Sequence, residues 1–135
     1  MTTCQVKFTL NVKLFLEARI GEMESKPKQI KYYRTADVKI PFLLWFDSLR
    51  NLTAKDEIRS RLNRLKLGNY GNCKSVGDGV LELRFRSGMR IYFSEIGDIV
   101  VLLFCGGDKE TQDRDITRAK IYWKDFKFQA KAGGK

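Results

Sequence analysis

The residues best able to do chemistry lie between positions 80 and 110. Glu82, Arg84, Arg86, Arg90 and Tyr92 are interleaved with the apolar Leu81, Leu83, Phe85, Ile91 and Phe93. Alternation of period two marks half-buried strands, in which every second side chain shares a face. A short glycine-containing segment separates the two runs, so they read as an antiparallel hairpin. Directly opposed residues of such a pair point the same way. The apolar sets must share the core face, so Arg86 is expected opposite Arg90, with Ser87, Gly88 and Met89 as the loop. A slip of one residue would bury arginines. Glu82, Arg84, Arg86, Arg90 and Tyr92 then gather on the second face. Guanidinium groups grip phosphate bidentately, and tyrosine can stack on a splayed base of single-stranded RNA. The bland alternative is a solvated sheet face on which Glu82 pairs weakly with a neighbouring arginine.

Lys109 follows the run Cys105-Gly106-Gly107-Asp108. The two glycines allow a sharp exit from a strand or the close approach of a ligand. Lys109 would then stand near the end of the sheet, within reach of a phosphate held by the arginines. The spacing is not that of a P-loop. Further basic candidates for RNA contact are Arg86, Lys74, Arg61 and Arg64, and Tyr122 is read as packing between helix and sheet.

The absence of histidine removes the commonest general base, the commonest zinc ligand and every Ser-His or Cys-His nucleophile. Chemistry must therefore run on Lys, Arg, Tyr, Asp or Glu, and no metal or cofactor is expected. The net charge of +10 in 135 residues suits a polyanionic partner. It is uneven. Residues 25–74 carry twelve basic and four acidic side chains, whereas 75–112 carry four and six. The cysteines, Cys4, Cys73 and Cys105, are odd in number and far apart, which points to free thiols in a reducing, cytoplasmic setting. No stretch approaches the ~20 apolar residues of a membrane span, and no membrane partner is expected.

The elements that must position these residues can be read in order. Residues 1–24 form an extension in which Val6, Phe8, Leu10 and Val12 alternate with polar residues. Lys13 interrupts any signal-peptide apolar region, and Met23 offers a second start. Lys28–Thr35 reads as a strand. Pro41 opens a helix through Leu49, since proline loses nothing at the first helical turn. Thr53, able to cap, starts a second helix whose Ala54, Ile58, Leu62 and Leu65 share a face, with Gly68 as its C-cap. Gly68–Gly79 reads as a loop. Three strands follow, at Val80–Arg86, Arg90–Glu95 and Ile99–Cys105, with turns short enough to force an antiparallel meander. A last helix is expected from Asp113 to Phe126, and the tail 129–135 is expected to be disordered. The order is β-α-α-β-β-β-α, an α+β domain over residues 25–128 with its helices on one face of a small sheet.

Several blocks resemble the phage-like addiction module killer protein branch of the RelE/ParE superfamily. They are Tyr32-Tyr33-Arg34-Thr35, Ile40-Pro41-Phe42, Leu62-x-Arg64-Leu65, Gly77-Asp78-Gly79-Val80-Leu81-Glu82-Leu83-Arg84, Arg90-Ile91-Tyr92-Phe93 and Gly106-Gly107-Asp108-Lys109-x-Thr111-Gln112. The likeness runs from about Gln29 to Phe126 and leaves out the extension. It implies a type II toxin with a small twisted antiparallel sheet packed by helices, silenced by an antitoxin, often a small helix-turn-helix protein. RelE-like members enter the ribosome and cut mRNA, while ParE-like members inhibit DNA gyrase by protein binding. Carried over by position, the family's catalytic basic residues match Arg84, Arg90 and Lys109. A second family lysine falls at Glu82 here, and the tyrosine of the best-known nuclease falls near Asp115. The hairpin usual in this branch is also two residues longer. The resemblance thus implies a ribosome-dependent endoribonuclease. Arg84, Arg90 and Lys109 would hold the scissile phosphate, and Glu82 or Tyr92 would accept the proton, Glu82 preferred as a carboxylate among arginines.

Overall fold

The computed structural model describes residues 27–133. The extension at 1–24 and the last two residues of the tail lie outside them. Among the described residues five strands and three helices follow one another as β1 (Gln29–Tyr32), α1 (Pro41–Ser48), α2 (Leu52–Lys66), β2 (Cys73–Gly77), β3 (Val80–Arg84), β4 (Arg90–Ile96), β5 (Val100–Gly107) and α3 (Gln112–Gly133). The class is α+β, with a single sheet of order β1-β5-β4-β3-β2.

Three features of this sheet differ from the sequence reading. First, it is mixed rather than antiparallel, because β1 runs parallel to β5, pairing Gln29 with Val100 through Tyr32 with Leu103. Second, β2 occupies what the glycines and asparagines of 68–79 made look like a loop. It pairs with β3 through a two-residue turn at Asp78-Gly79, both in the left-handed region (φ 56° and 85°). An Asp-Gly pair is the favoured sequence for a tight hairpin turn, since its twist matches that of the strands. Third, the helices cover both faces. Phe42, Ile58 and Leu65 of α1 and α2 pack with Leu83, Ile91, Phe93, Val101 and Leu103. Ala119 and the partly buried Trp123 of α3 pack with Val80, Tyr92, Leu102 and Phe104 on the other side. The apolar run of β5 is explained by this sandwich, because a strand buried on both faces loses its alternation.

The helix ends follow from local chemistry. Pro41 stands at the start of α1 as expected. The cap of α2 is Asn51 rather than Thr53, its Oδ1 accepting from the backbone N–H of Thr53 at 2.9 Å and of Ala54 at 3.2 Å. At the other end Gly68 (φ 89°) donates to Leu65 O and Asn69 donates to Arg64 O, which closes the last carbonyls in a Schellman turn. α3 continues past its expected end at Phe126 through Gly133. No glycine or proline stops it earlier, and Gln129 Nε2 bonds Asp125 Oδ2 one turn below at 2.6 Å.

Asn51→Ala removes the partner of two otherwise unsatisfied N–H groups. It is expected to cost about 1 kcal/mol and to lower the urea midpoint without changing the slope of the transition.

Candidate functional site

The central hairpin places its polar set as the alternation requires, but in a different register. Arg84 opposes Arg90, Glu82 opposes Tyr92 and Leu83 opposes Ile91. The loop is Arg86-Ser87-Gly88, not Ser87-Gly88-Met89. Phe85 N donates to Met89 O, Gly88 N donates to Phe85 O, both at 3.0 Å, and Gly88 takes the positive φ (103°) that the turn needs. The shift is two residues, so the faces are unchanged, and only Arg86 leaves the patch for the exposed turn.

Glu82 is the centre of what remains. Its side chain is fully buried. Oε1 lies 3.0 Å from Arg84 Nε, and Oε2 lies 3.5 Å from Arg90 Nε. Tyr92 OH donates to Oε2 at 2.9 Å and Gln112 Nε2 donates to it at 2.8 Å. Neither arginine contact is aligned as a hydrogen bond, which leaves Oε1 without one. Arg90 is held further by its Nη1 donating to Gly88 O at 2.9 Å. Arg90 has only 10% of its side chain exposed, while Arg84 has 32%. Burial raises the Tyr92 phenol well above the usual tyrosine range, and its bond to Glu82 adds to the shift.

The remaining sequence candidates fall in different places. Lys74 opposes Glu82 from β2 and is exposed on the same face. Lys109 is exposed two residues beyond Gly107, the β5 partner of Arg90. Arg61 and Arg64 sit on α2, across the sheet from Glu82. Arg64 is exposed. Arg61 donates to Arg84 O at 2.7 Å and to the carbonyls of Tyr70 and Asn72 at 3.3 Å, with its guanidinium 4.7 Å from the Phe85 ring centre. It therefore fixes the backbone that carries Arg84, and burial lowers its guanidinium from the usual range.

The first turn of α3 supplies residues that sequence reasoning missed. Besides Gln112, they are Thr111 just before it and Asp115. Asp115 is buried, with Thr111 Oγ1 donating to its Oδ2 at 2.5 Å. Its carboxylate occupies the space where a side chain on Gly107 would stand. Gly106 has the Trp45 ring in the same relation. The double glycine therefore does mark a close approach, made by the chain's own side chains. Burial, with the nearby Asp115 carboxylate, pushes the Cys105 thiol up to about 12. Beside these residues a cavity of about 500 Å³ opens between α1, the turn at Thr35–Lys39, the end of β5 and α3. Among the described residues no cluster of three or more His, Cys, Asp or Glu could hold a metal ion, and no helix is long and apolar enough to cross a membrane.

No family model matches the chain. It is 46% identical over 84 residues to a protein of Haemophilus influenzae described as an uncharacterized protein. The match covers 61% of this chain and 85% of that protein.

Removing one partner of a buried ion cluster leaves the others unpaired. Glu82→Ala is therefore expected to cost about 3–5 kcal/mol, read as a loss of chemical-denaturation stability. Lys74→Ala, at an exposed site, should be close to neutral.

Proposed function

We propose that the chain, which belongs to one family with the uncharacterized Haemophilus influenzae protein, is a RelE/ParE-like toxin acting on RNA in the cytoplasm, a reading that starts from the sequence blocks resembling that superfamily. The observation that carries the proposal is the convergence of Arg84 and Arg90, from adjacent strands, on a buried carboxylate with one oxygen free of hydrogen bonds. A surface ion pair needs no such burial. A site that must present two guanidinium groups in a fixed relation does, because a held arginine loses less side-chain freedom when it binds.

In this reading the phosphate of a single-stranded mRNA meets Arg84, the more exposed of the pair, with Arg90 behind it and Lys109 at the end of β5. The 2′-oxygen attacks the adjacent phosphorus, the bond to the 5′-oxygen breaks, and a 2′,3′-cyclic phosphate and a 5′-hydroxyl result. Movement of Arg84 onto the phosphate uncovers Glu82 Oε1, which takes the 2′-hydroxyl proton, and water protonates the leaving oxygen. Orientation and the positive charges facing the developing pentacovalent phosphate supply most of the acceleration. Lys74, opposite Glu82 on β2, extends the positive rim on the same side. The ribosome presents the mRNA, and a cognate antitoxin, a small helix-turn-helix protein, holds the toxin silent.

A second reading has its own observation. Glu82 and Tyr92 are both fully buried, which favours a non-nucleolytic toxin that uses this scaffold to bind a protein such as gyrase. Induction of the protein followed by mapping of mRNA 5′ ends separates the two. The nuclease gives new ends inside codons. Arg90→Ala is expected to reduce them by roughly 10²–10³-fold. Intact transcripts with a DNA-damage response identify the second reading, and an Arg90→Ala protein that cuts like the wild type removes the first.

A further inference from the structure

The arrangement around Glu82 occurs twice. At the start of α3 a second buried carboxylate, Asp115, with 2% of its side chain exposed, stands between two arginines. Arg114 Nε lies 3.7 Å from its Oδ1 and Arg118 Nη1 lies 3.9 Å from the same oxygen. The two arginines are one helical turn apart and therefore share a face. They are 66% and 41% exposed, and their loose contacts leave most of their donors open to a ligand. The two units are joined directly. Gln112 bonds Glu82, its neighbour Thr111 bonds Asp115, and Gly107, the strand partner of Arg90, abuts the Asp115 carboxylate.

Arg114 and Arg118 also line the 500 Å³ cavity. It lies where β1 has ended, at Tyr32 opposite Leu103, while β5 runs on to Gly107. Trp45 and Tyr122 wall it, and its size is that of sites for small organic ligands. Its polar lining is close to balanced in charge. Asp37 accepts from Thr35 Oγ1 at 2.5 Å and lies 3.9 Å from Lys39 Nζ, and Asp108 Oδ1 accepts from Thr111 N at 3.1 Å. Asp37 and Asp108 are exposed and stand at the mouth of the cavity, while Asp115 is the buried carboxylate of the lining. A phosphate placed deep inside would therefore be repelled by Asp115, and an uncharged base would not. The anionic part of a ligand is thus directed to the arginines at the rim and its neutral part to the interior.

We propose that Arg114 and Arg118 form a second phosphate subsite, and that the cavity beneath them receives a nucleoside of the strand whose adjacent phosphate meets Arg84 and Arg90. The proposal rests on the RNA-directed function. It extends that function from a single scissile phosphate to a track that crosses the end of the sheet onto α3.

The test is fluorescence anisotropy of a labelled hexaribonucleotide with the full chain, titrated across a range of salt, for the wild type and three variants. Arg114→Gln changes an exposed residue and leaves Arg118 on Asp115. It is expected to weaken binding about tenfold at low salt, the effect of one charge-assisted hydrogen bond. It should also make the log–log salt slope shallower by about 0.7, one phosphate contact on a single strand. Leu44→Trp introduces a ring at an exposed position lining the cavity. It is expected to weaken binding several-fold with the salt slope unchanged. Arg84→Gln reports on the primary site. If it weakens binding while Arg114→Gln and Leu44→Trp match the wild type, the second subsite is overturned and the RNA-directed function stands. If Arg84→Gln also matches the wild type, the function falls and the subsite with it.

Discussion

A carboxylate withdrawn from water has to be compensated, and in this protein most of the site's geometry follows from that requirement at Glu82. Removing an ion from water costs on the order of several kcal/mol even after relaxation. The compensation comes from four groups on two other elements and on β3 itself. Arg84 stands two residues along the same strand, Arg90 and Tyr92 are on β4, and Gln112 opens α3. The carboxylate therefore ties the first turn of α3 to the hairpin. From the opposite side of the sheet Arg61 takes the carbonyls of Arg84, Tyr70 and Asn72, so the end of β3 is held from both faces.

The same constraint decides where charge can reach solvent. β4 is covered on both sides, with Ile91, Tyr92 and Phe93 fully buried in succession. A polar cluster in the middle of such a strand survives only as a closed set. Its outlet is the end of the sheet, where Arg84 is a third exposed, Lys109 leaves β5 and Lys74 stands on the edge strand. Asp115 repeats the pattern at the next opening, one turn into α3.

Face assignment was legible in the sequence and register was not. Alternation puts Glu82, Arg84, Arg90 and Tyr92 on one side whichever even shift is chosen, because a displacement of two leaves every side chain on its face. The shift itself depends on the turn. A three-residue loop ending in a left-handed glycine selects Gly88 as its last residue and moves Arg86 out of the patch. The strand β2 carried a readable signal, Asp78-Gly79, hidden among other glycines. The cap at Asn51 was equally readable, one residue before the helix. The parallel place of β1 and the position of α3 on the second face were not, since both are set by contacts far along the chain. Neither were the partners Gln112 and Asp115, because a polar residue in the first turn of a helix looks solvated until the element it meets is known. Arg61 illustrates the converse. Its sequence neighbourhood, a basic helix, suits RNA, yet three carbonyls claim its donors.

A buried carboxylate under a pair of arginines has a consequence beyond stability. Long basic side chains in solvent sample many rotamers, and a ligand that fixes them must offset that loss, about 0.5–1.5 kcal/mol for each side chain. Arg90, held by Glu82 and Gly88 O, has already lost that freedom on folding. Arg84 has lost part of it, and Arg114 and Arg118, in looser contact with Asp115, have lost less. Restraint therefore falls from Arg90 through Arg84 to the two arginines of α3, as exposure rises. Such a gradient suits a chain-like anion that must be positioned closely at one phosphate and only steered at the next. The gradient is set by two buried carboxylates, neither of which needs to touch the ligand for the arginines above it to be aimed.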